Sequence, residues 1–266
     1  MYMKESFPQL ESKNPTPEQK WAESESMFSK IYGTGVKKYL EGLPSLTSAF
    51  HKSDLGVRCI DEGTPSGIHM AGSGIILSTA EKIDELRRVE EELKRAGVDG
   101  VYSHEGCGAA ALYAETVAHD PNNAHKYAVE WAQKLAKELG VDYKGHIDKL
   151  ARPKDFHNAR IAYYDATGEF DPFKIKEIPD GFIISRHFLD PMYSKEELGI
   201  ALSIAMGHHG FGDKFSKDKP FIIAPIQMIT NEKRPDLELQ ALEAEARAIA
   251  APFGDRVIVE GFRIKK

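Results

Sequence analysis

The stretch Asp99-Gly-Val-Tyr-Ser-His-Glu-Gly-Cys-Gly-Ala109 decides the fold prediction. Its first five residues are typical of a short buried strand, and an alanine-rich helix is predicted from about Gly108 to Ala118. A second short strand is predicted upstream at Leu55–Ile60, and between the two a helix begins with the capping box Ser78-Thr-Ala-Glu81 and ends at Gly97. Strand, helix, strand and helix in this order predict an α/β fold with a mainly parallel sheet flanked by helices.

Elements outside this core are predicted on both sides. Thr16-Pro-Glu-Gln19 is a capping box, and the helix that it begins is expected to run to about Tyr32 and to end at Gly33. Further helices are predicted at residues 122–139, 194–206 and 237–250, and further strands at 159–165, 181–187, 221–229 and 256–264. We therefore divide the chain into an N-terminal arm and helix (1–50), an α/β core (51–171) and an additional α/β C-terminal extension (172–266).

The composition narrows the class of partner. The net charge of −6 gives no basic surface for nucleic acid, and no apolar run reaches the roughly 18 residues that a membrane span needs. We therefore expect no nucleic-acid or membrane partner. The polar start of the chain has no signal sequence, which favours a cytoplasmic location. With 2 cysteines the chain cannot form a disulfide framework, so a reduced metal site is favoured.

Three residues have the spacing of a metal site. Cys59 follows the first predicted strand, and His104 and Cys107 follow the second, so all three are expected at the carboxyl edge of the sheet. Two thiolates and one imidazole favour Zn²⁺ over Mg²⁺ or Ca²⁺. Three protein ligands leave one position for water, which is typical of a catalytic zinc. Zinc lowers the pKa of such a water to about 7 and so gives hydroxide at neutral pH.

Other interpretations of these residues remain open. A His-x-x-Cys motif also arises by chance, and a buried cysteine is often only a small apolar residue. Cys107 at a helix N-terminus could instead be the activated thiol of a metal-free enzyme. Asp61 could orient the water, bind the metal itself, or cap the turn that follows it. Glu105 could accept a hydrogen bond beside the metal or point to solvent.

At this point the motifs resemble those of the β-class carbonic anhydrases. Cys59-Ile-Asp61 is similar to the Cys-x-Asp of that family, and Ser103–Ala109 is similar to its His-x-x-Cys-Gly segment. Between them, Ile68-His-Met-Ala-Gly-Ser-Gly74 resembles the loop beside its active site. The resemblance covers about residues 55–171, with the motifs in the same order.

The resemblance implies a fold, a reaction and an assembly. The fold would be a β-carbonic-anhydrase-like parallel sheet, assembled as a homodimer or a higher homo-oligomer. The reaction would be hydration of carbon dioxide to bicarbonate by a zinc-bound hydroxide, with zinc held by Cys59, His104 and Cys107. Asp61 would act in catalysis. The position of His69, and not the resemblance, suggests that it is a proton shuttle or a substrate contact, or else a loop histidine that bonds backbone groups. The substrate pocket would be formed by Ala71, Gly72, Ser73, Gly74 and Gly108.

The chain also departs from the family pattern Cys-x-Asp-x-Arg. In that pattern the arginine pairs with the aspartate and keeps it off the metal, but Gly63 occupies the position here. Either Asp61 closes the zinc site as a fourth ligand, giving a non-catalytic zinc protein, or another arginine such as Arg186 reaches in. Carbonyl sulfide and carbon disulfide remain alternative substrates for hydrolysis by the same chemistry.

Overall fold

The computed structural model describes residues 14–51, 55–154, 156–229 and 235–265, and it has an α/β fold in which helices flank parallel sheets. The helices of the described residues are α1 Pro17–Thr34, α2 Val36–Glu41, α3 Ile83–Ala96, α4 Gly108–Thr116, α5 Ala124–Leu139, α6 Pro191–Met206 and α7 Pro235–Ala250. The strands are β1 Gly56–Arg58, β2 Ile68–His69, β3 Gly100–His104, β4 Asp142–Ile147, β5 Ile161–Asp165, β6 Phe182–Ile184, β7 Phe221–Met228, β8 Val257–Val259 and β9 Phe262–Ile264. The predicted fold class is confirmed at this level.

The first sheet has the order β2-β1-β3-β4 and is parallel throughout. The two predicted strands, β1 and β3, are therefore direct neighbours, joined by a crossover that includes α3. Their carboxyl ends lie at the same edge of the sheet, where ligand chemistry is expected in open α/β folds. This edge carries the predicted metal ligands.

The second sheet has the order β6-β5-β7-β8, and β9 also pairs with β7 in parallel. The strand predicted at 256–264 is thus two strands that follow one another along β7. The first pairs with residues 221–223 and the second with residues 226–228. Pro225 lies between these two ladders and has no N–H to donate, and the chain passes close to it at Gly261, where a Cβ would lie 2.9 Å from the Pro225 carbonyl oxygen.

The two sheets meet where β1 ends and β6 begins. The Ile183 N–H donates to the Ile60 carbonyl at 3.2 Å, and the His69 N–H donates to Ser185 Oγ at 2.8 Å. One continuous apolar core contains residues of both sheets, among them Val57 and Ile223. The predicted boundary at residue 171 consequently falls within the second sheet, between β5 and β6, and does not separate the two sheets.

The helix ends confirm one of the two predicted capping boxes and not the other. The capping box at Thr16 is present, with reciprocal hydrogen bonds to Gln19, but α1 passes Gly33 and stops at Gly35, where φ is +85°. The capping box predicted at Ser78 is wrong, because the Ser78 hydroxyl donates to the Ile75 carbonyl at 2.7 Å and α3 begins at Ile83. Most of the predicted N-terminal arm, residues 1–13, lies outside the described residues.

Among the described residues, the helices that the chain forms are either too short or too polar to span a lipid bilayer.

Candidate metal centre

Cys59, His104 and Cys107 come together as the sequence predicted. Cys59 follows β1, His104 ends β3, and Cys107 is the N-cap residue of α4. All three side chains are buried, and their donor atoms lie within 4.8 Å of one another. The three residues could therefore bind one metal ion with two sulfur donors and one nitrogen donor.

The histidine ring has the orientation that a metal ligand needs. His104 Nδ1 lies 2.9 Å from the Glu105 carbonyl and donates its proton there. In the neutral ring this bond leaves the lone pair on Nε2, which is buried beside Cys59 and makes no hydrogen bond of good geometry within the described part of the chain. A metal ion would bind a nitrogen presented in this way.

The two sulfur atoms lie against the backbone of a tight loop. The Gly72 N–H donates to Cys59 Sγ at 3.2 Å, and a Cβ at Gly72 would lie 3.3 Å from Cys107 Sγ. Gly72 has a φ of +56°, so both the space and the backbone conformation favour glycine here. The hydrogen bond between the two thiols raises the pKa of Cys59 and lowers that of Cys107, which also accepts backbone N–H bonds at the start of α4.

Asp61 is held by an arginine that the sequence analysis did not identify. Arg152 Nε donates to both carboxylate oxygens of Asp61 at 2.8 Å, and Arg152 Nη2 lies 2.7 Å from Oδ2. Both side chains are 3% exposed. Burial would raise the pKa of Asp61, but the charge of His157 and the hydrogen bonds from Arg152 lower it to about 2. Asp61 is therefore a carboxylate at neutral pH.

The suggestion that Arg186 reaches Asp61 is wrong. Arg186 instead pairs with Glu245, with Nε at 3.0 Å from Oε2. Gly63 explains why Arg152 can pair with Asp61. A Cβ at Gly63 would lie 2.7 Å from Leu150 Cβ and 3.0 Å from the Ala151 nitrogen, so a larger residue would displace the segment that carries Arg152. The chain segment that carries Arg152 thus packs on the position where the family pattern has its arginine.

His157 is a second residue that sequence reasoning missed. Its Nδ1 lies 2.7 Å from Glu62 Oε2 and 3.9 Å from Asp61 Oδ2, and the Asn158 N–H donates to the other oxygen of Glu62. Burial lowers the pKa of His157, whereas the Glu62 carboxylate raises it, and the net shift is upward. His157, Glu62 and Asp61 form a buried polar row beside the metal ligands.

A small cavity opens on this row. Its volume of about 10 Å³ is roughly the least that holds one water molecule, and Cys59, Asp61, Gly108 and His157 contribute to its surface. The remaining wall is apolar and consists of Ile60, Ala71, Ala109, Phe182, Ile200 and Ile204. The last three belong to β6 and α6, so the C-terminal extension builds one side of the cavity.

The other predicted site residues lie close by with different contacts. His69 is buried, with Nδ1 at 2.7 Å from the Cys59 carbonyl, and does not contribute to the surface of the cavity. Ser73 donates through Oγ to the Tyr102 carbonyl at 2.7 Å, and Gly74 follows it with a φ of +87°. The roles predicted for His69, Ser73 and Gly74 stay predictions.

Comparison with known proteins gives no relative: no protein-family model, no curated protein and no solved structure matches the chain. The functional argument therefore depends on the residues and contacts described above.

Proposed function

We propose that the protein is a zinc-dependent, carbonic anhydrase-like enzyme that hydrates carbon dioxide to bicarbonate. The observation that carries the proposal is the Arg152–Asp61 pair beside the cluster of Cys59, His104 and Cys107. In the Cys-x-Asp-x-Arg motif of the resembling family an arginine keeps the aspartate off the metal, and this chain has Gly63 at the position of that arginine. Arg152 pairs with Asp61 instead, from a later segment of the chain.

The donor set favours zinc as the ion. Two thiolates and an imidazole are soft to borderline ligands, which bind zinc in preference to magnesium or calcium. When bound, the ion supplies a water molecule acidic enough to give hydroxide near neutral pH. Since Arg152 and the Gly63 N–H hold both oxygens of Asp61, the aspartate is not free to act as a fourth ligand. This arrangement favours an open site over a closed, non-catalytic one.

The side chains around the cavity have separate tasks in this proposal. Asp61 accepts a hydrogen bond from the attacking water and so orients it, while Arg152 fixes the carboxylate. His157 lies on the cavity surface, Glu62 fixes its ring, and at a pH above its raised pKa the ring takes the released proton. The apolar walls exclude bulk water and suit a small, uncharged, linear molecule.

Carbonyl sulfide and carbon disulfide are the second candidate substrates. One observation favours them: of the residues that contribute to the cavity surface, Cys59, Asp61 and His157 have ionisable side chains and the others do not. Such a wall would accept neutral sulfur analogues of carbon dioxide as readily as carbon dioxide itself. A metal-free thiol enzyme is disfavoured, because Cys107 is buried and does not contribute to the cavity surface.

Hydration measurements on the zinc-loaded protein test the proposal. We expect catalysed hydration of carbon dioxide in stopped-flow assays, and we expect Asp61→Asn to reduce it while retaining the zinc. Hydrolysis of carbonyl sulfide and carbon disulfide is measured in parallel. A zinc-loaded protein that hydrates none of the three at any pH would contradict the activity and leave the metal site standing.

A further inference from the structure

A second cluster of potential metal ligands consists of Glu105, His125 and His146. Glu105 follows β3, His146 is near the end of β4, and His125 is in the first turn of α5. Their donor atoms all lie within 4.8 Å of one another. None of the three belongs to the metal centre described above, whose ligands are Cys59, His104 and Cys107.

The distances within this cluster are those between ligands of one ion. Glu105 Oε2 lies 3.1 Å from His125 Nδ1 and 3.5 Å from His146 Nε2. With metal–ligand bonds of about 2.0–2.1 Å, two ligand atoms of a tetrahedral site lie roughly 3.3 Å apart. One carboxylate oxygen thus has two imidazole nitrogens at suitable distances, and the two rings meet edge to face with centroids 4.4 Å apart.

His146 is positioned by hydrogen bonds on its other nitrogen. Its Nδ1 lies 2.9 Å from Ser103 Oγ, which in turn lies 2.8 Å from the Tyr143 hydroxyl. If Nδ1 donates along this row, Nε2 keeps its lone pair. Nε2 is buried and makes no hydrogen bond of good geometry to any residue that the structure describes. A ring fixed through one nitrogen with the other aimed at a carboxylate is the usual arrangement of a metal-binding histidine.

The scaffold around the cluster is regular secondary structure. Ser103 and His146 are directly paired in the ladder of β3 and β4, so the row of hydrogen bonds joins two neighbouring strands. His125 is 60% exposed and Glu105 is 40% exposed, which leaves the cluster open to solvent on one side. Lys154 Nζ lies 3.9 Å from the second oxygen of Glu105, Oε1, and leaves Oε2 to the histidines.

We propose that Glu105, His125 and His146 form a second metal site, which takes a divalent first-row transition-metal ion such as Zn²⁺ or Co²⁺. Two imidazoles and one carboxylate suit these ions and leave the remaining positions to water. The site contains no sulfur ligand, so it differs chemically from the buried site with Cys59 and Cys107. A metal at either site has its own ligands, and the two can be loaded separately.

Cobalt titration of the metal-free, full-length protein tests the proposal, because thiolate ligands give cobalt a strong charge-transfer band that imidazole and carboxylate do not. We expect two Co²⁺ ions per chain, one with this band and one without. His125→Asn and Glu105→Gln should each lose only the ion without the band. Ser103→Ala should lower the affinity for that ion about 10-fold, because it removes the hydrogen-bond partner of His146 Nδ1.

Two further variants complete the design. His119→Asn is the matched control, since His119 is exposed and its φ of +53° is tolerated by asparagine; it should bind both ions. Cys107→Ser should lose the thiolate band and keep the second ion. A wild-type protein that binds one Co²⁺ with the band, or a second ion that persists in His125→Asn and Glu105→Gln, would overturn the proposal. Because His125 is exposed, we expect His125→Asn to fold even if Glu105→Gln does not.

Discussion

Arg152 and Asp61 are 91 residues apart in the chain, and they form a buried pair in which one guanidinium nitrogen, Nε, donates to both carboxylate oxygens at 2.8 Å. The second nitrogen, Nη2, also donates to the Gly106 carbonyl at 3.0 Å, in the loop between His104 and Cys107. The guanidinium therefore bridges Asp61 and the loop that carries two of the candidate metal ligands. Removing one partner of such a pair leaves a buried charge uncompensated.

We expect Arg152→Met to impair both stability and activity. The free energy of unfolding should fall by about 3 kcal/mol, and hydration should fall about 100-fold, because Asp61 becomes free to bind the metal. Urea unfolding and stopped-flow hydration measure the two effects. Arg186→Met is the matched control: its partner Glu245 is partly exposed, so the loss should be less than about 1 kcal/mol. Unchanged hydration in Arg152→Met would remove Arg152 from the proposed mechanism.

The Cys107→Ser variant tests whether Cys59, His104 and Cys107 bind the metal, with the melting temperature as the measured quantity. A metal that binds only the folded chain raises its melting temperature, so a chelator should lower the melting temperature of the wild-type protein. The same chelator should have a much smaller effect on Cys107→Ser, which lacks one of the two sulfur ligands. His69→Asn should respond like the wild type, since the His69 ring contacts the Cys59 carbonyl and not the sulfur atoms. Full chelator sensitivity in Cys107→Ser would mean that the ligand set is wrong.

His157→Asn tests the proton acceptor. Removing the imidazole should lower the turnover number about 100-fold while the zinc content stays the same. Added imidazole buffer should restore part of the rate, since it can accept the proton in place of the missing ring. His208→Asn, at an exposed position, serves as the control. A loss of rate without rescue would assign His157 a positioning role through Glu62 and Asp61.

Glu197 predicts a pH dependence of stability. Its side chain is fully buried, its Oε2 accepts the Ala71 N–H at 2.7 Å, and burial raises its pKa from 4.5 to about 7. Between these values the folded state keeps a proton that the unfolded chain has released. The contribution of Glu197 is therefore fully present below pH 4.5 and is lost as the pH rises through 7, by about 3 kcal/mol in total.

Glu197→Gln removes this titration, so its free energy of unfolding should exceed that of the wild type at pH 8 and approach it at pH 5. Urea unfolding at the two values measures the difference. Glu196→Gln is the control: Glu196 is 42% exposed, and its charge adds to the raised pKa of Glu197 less than burial does, so most of the pH dependence should remain. The same pH dependence in Glu197→Gln and the wild type would assign the titration to another group.

The residues of the candidate metal centre were predictable because each lies at or just after the end of a strand whose pattern is local. The stretch Leu55–Ile60 is short and largely apolar, and β3 leads directly into the His-x-x-Cys loop, so the sheet rule placed Cys59 beside His104 and Cys107. Arg152 was not predictable in the same way. Its pairing depends on the missing side chain at Gly63 and on packing between segments far apart in the chain, and neither produces a periodic pattern.

Strand β4 was missed for a local reason. Its sequence, Asp142-Tyr-Lys-Gly-His-Ile147, is polar, half-buried and interrupted by glycine, whereas a predicted strand is apolar or alternating. The strand forms because β3 offers it a parallel edge, with a register shift after Val101. Missing it hid His146, and with it the second cluster of metal ligands. Lone histidines in polar stretches give no signal until the fold brings them together.

The side of the cavity built by Phe182, Ile200 and Ile204 has a consequence for the order of events during synthesis. All three buried ligands, the last of them Cys107, leave the ribosome long before α6 does. Until that helix has been made and has packed, the cavity that Cys59 lines lacks one of its walls. If the three residues bind a metal ion, that ion can enter during translation without any opening of the mature protein, and we expect its exchange to slow once α6 is in place.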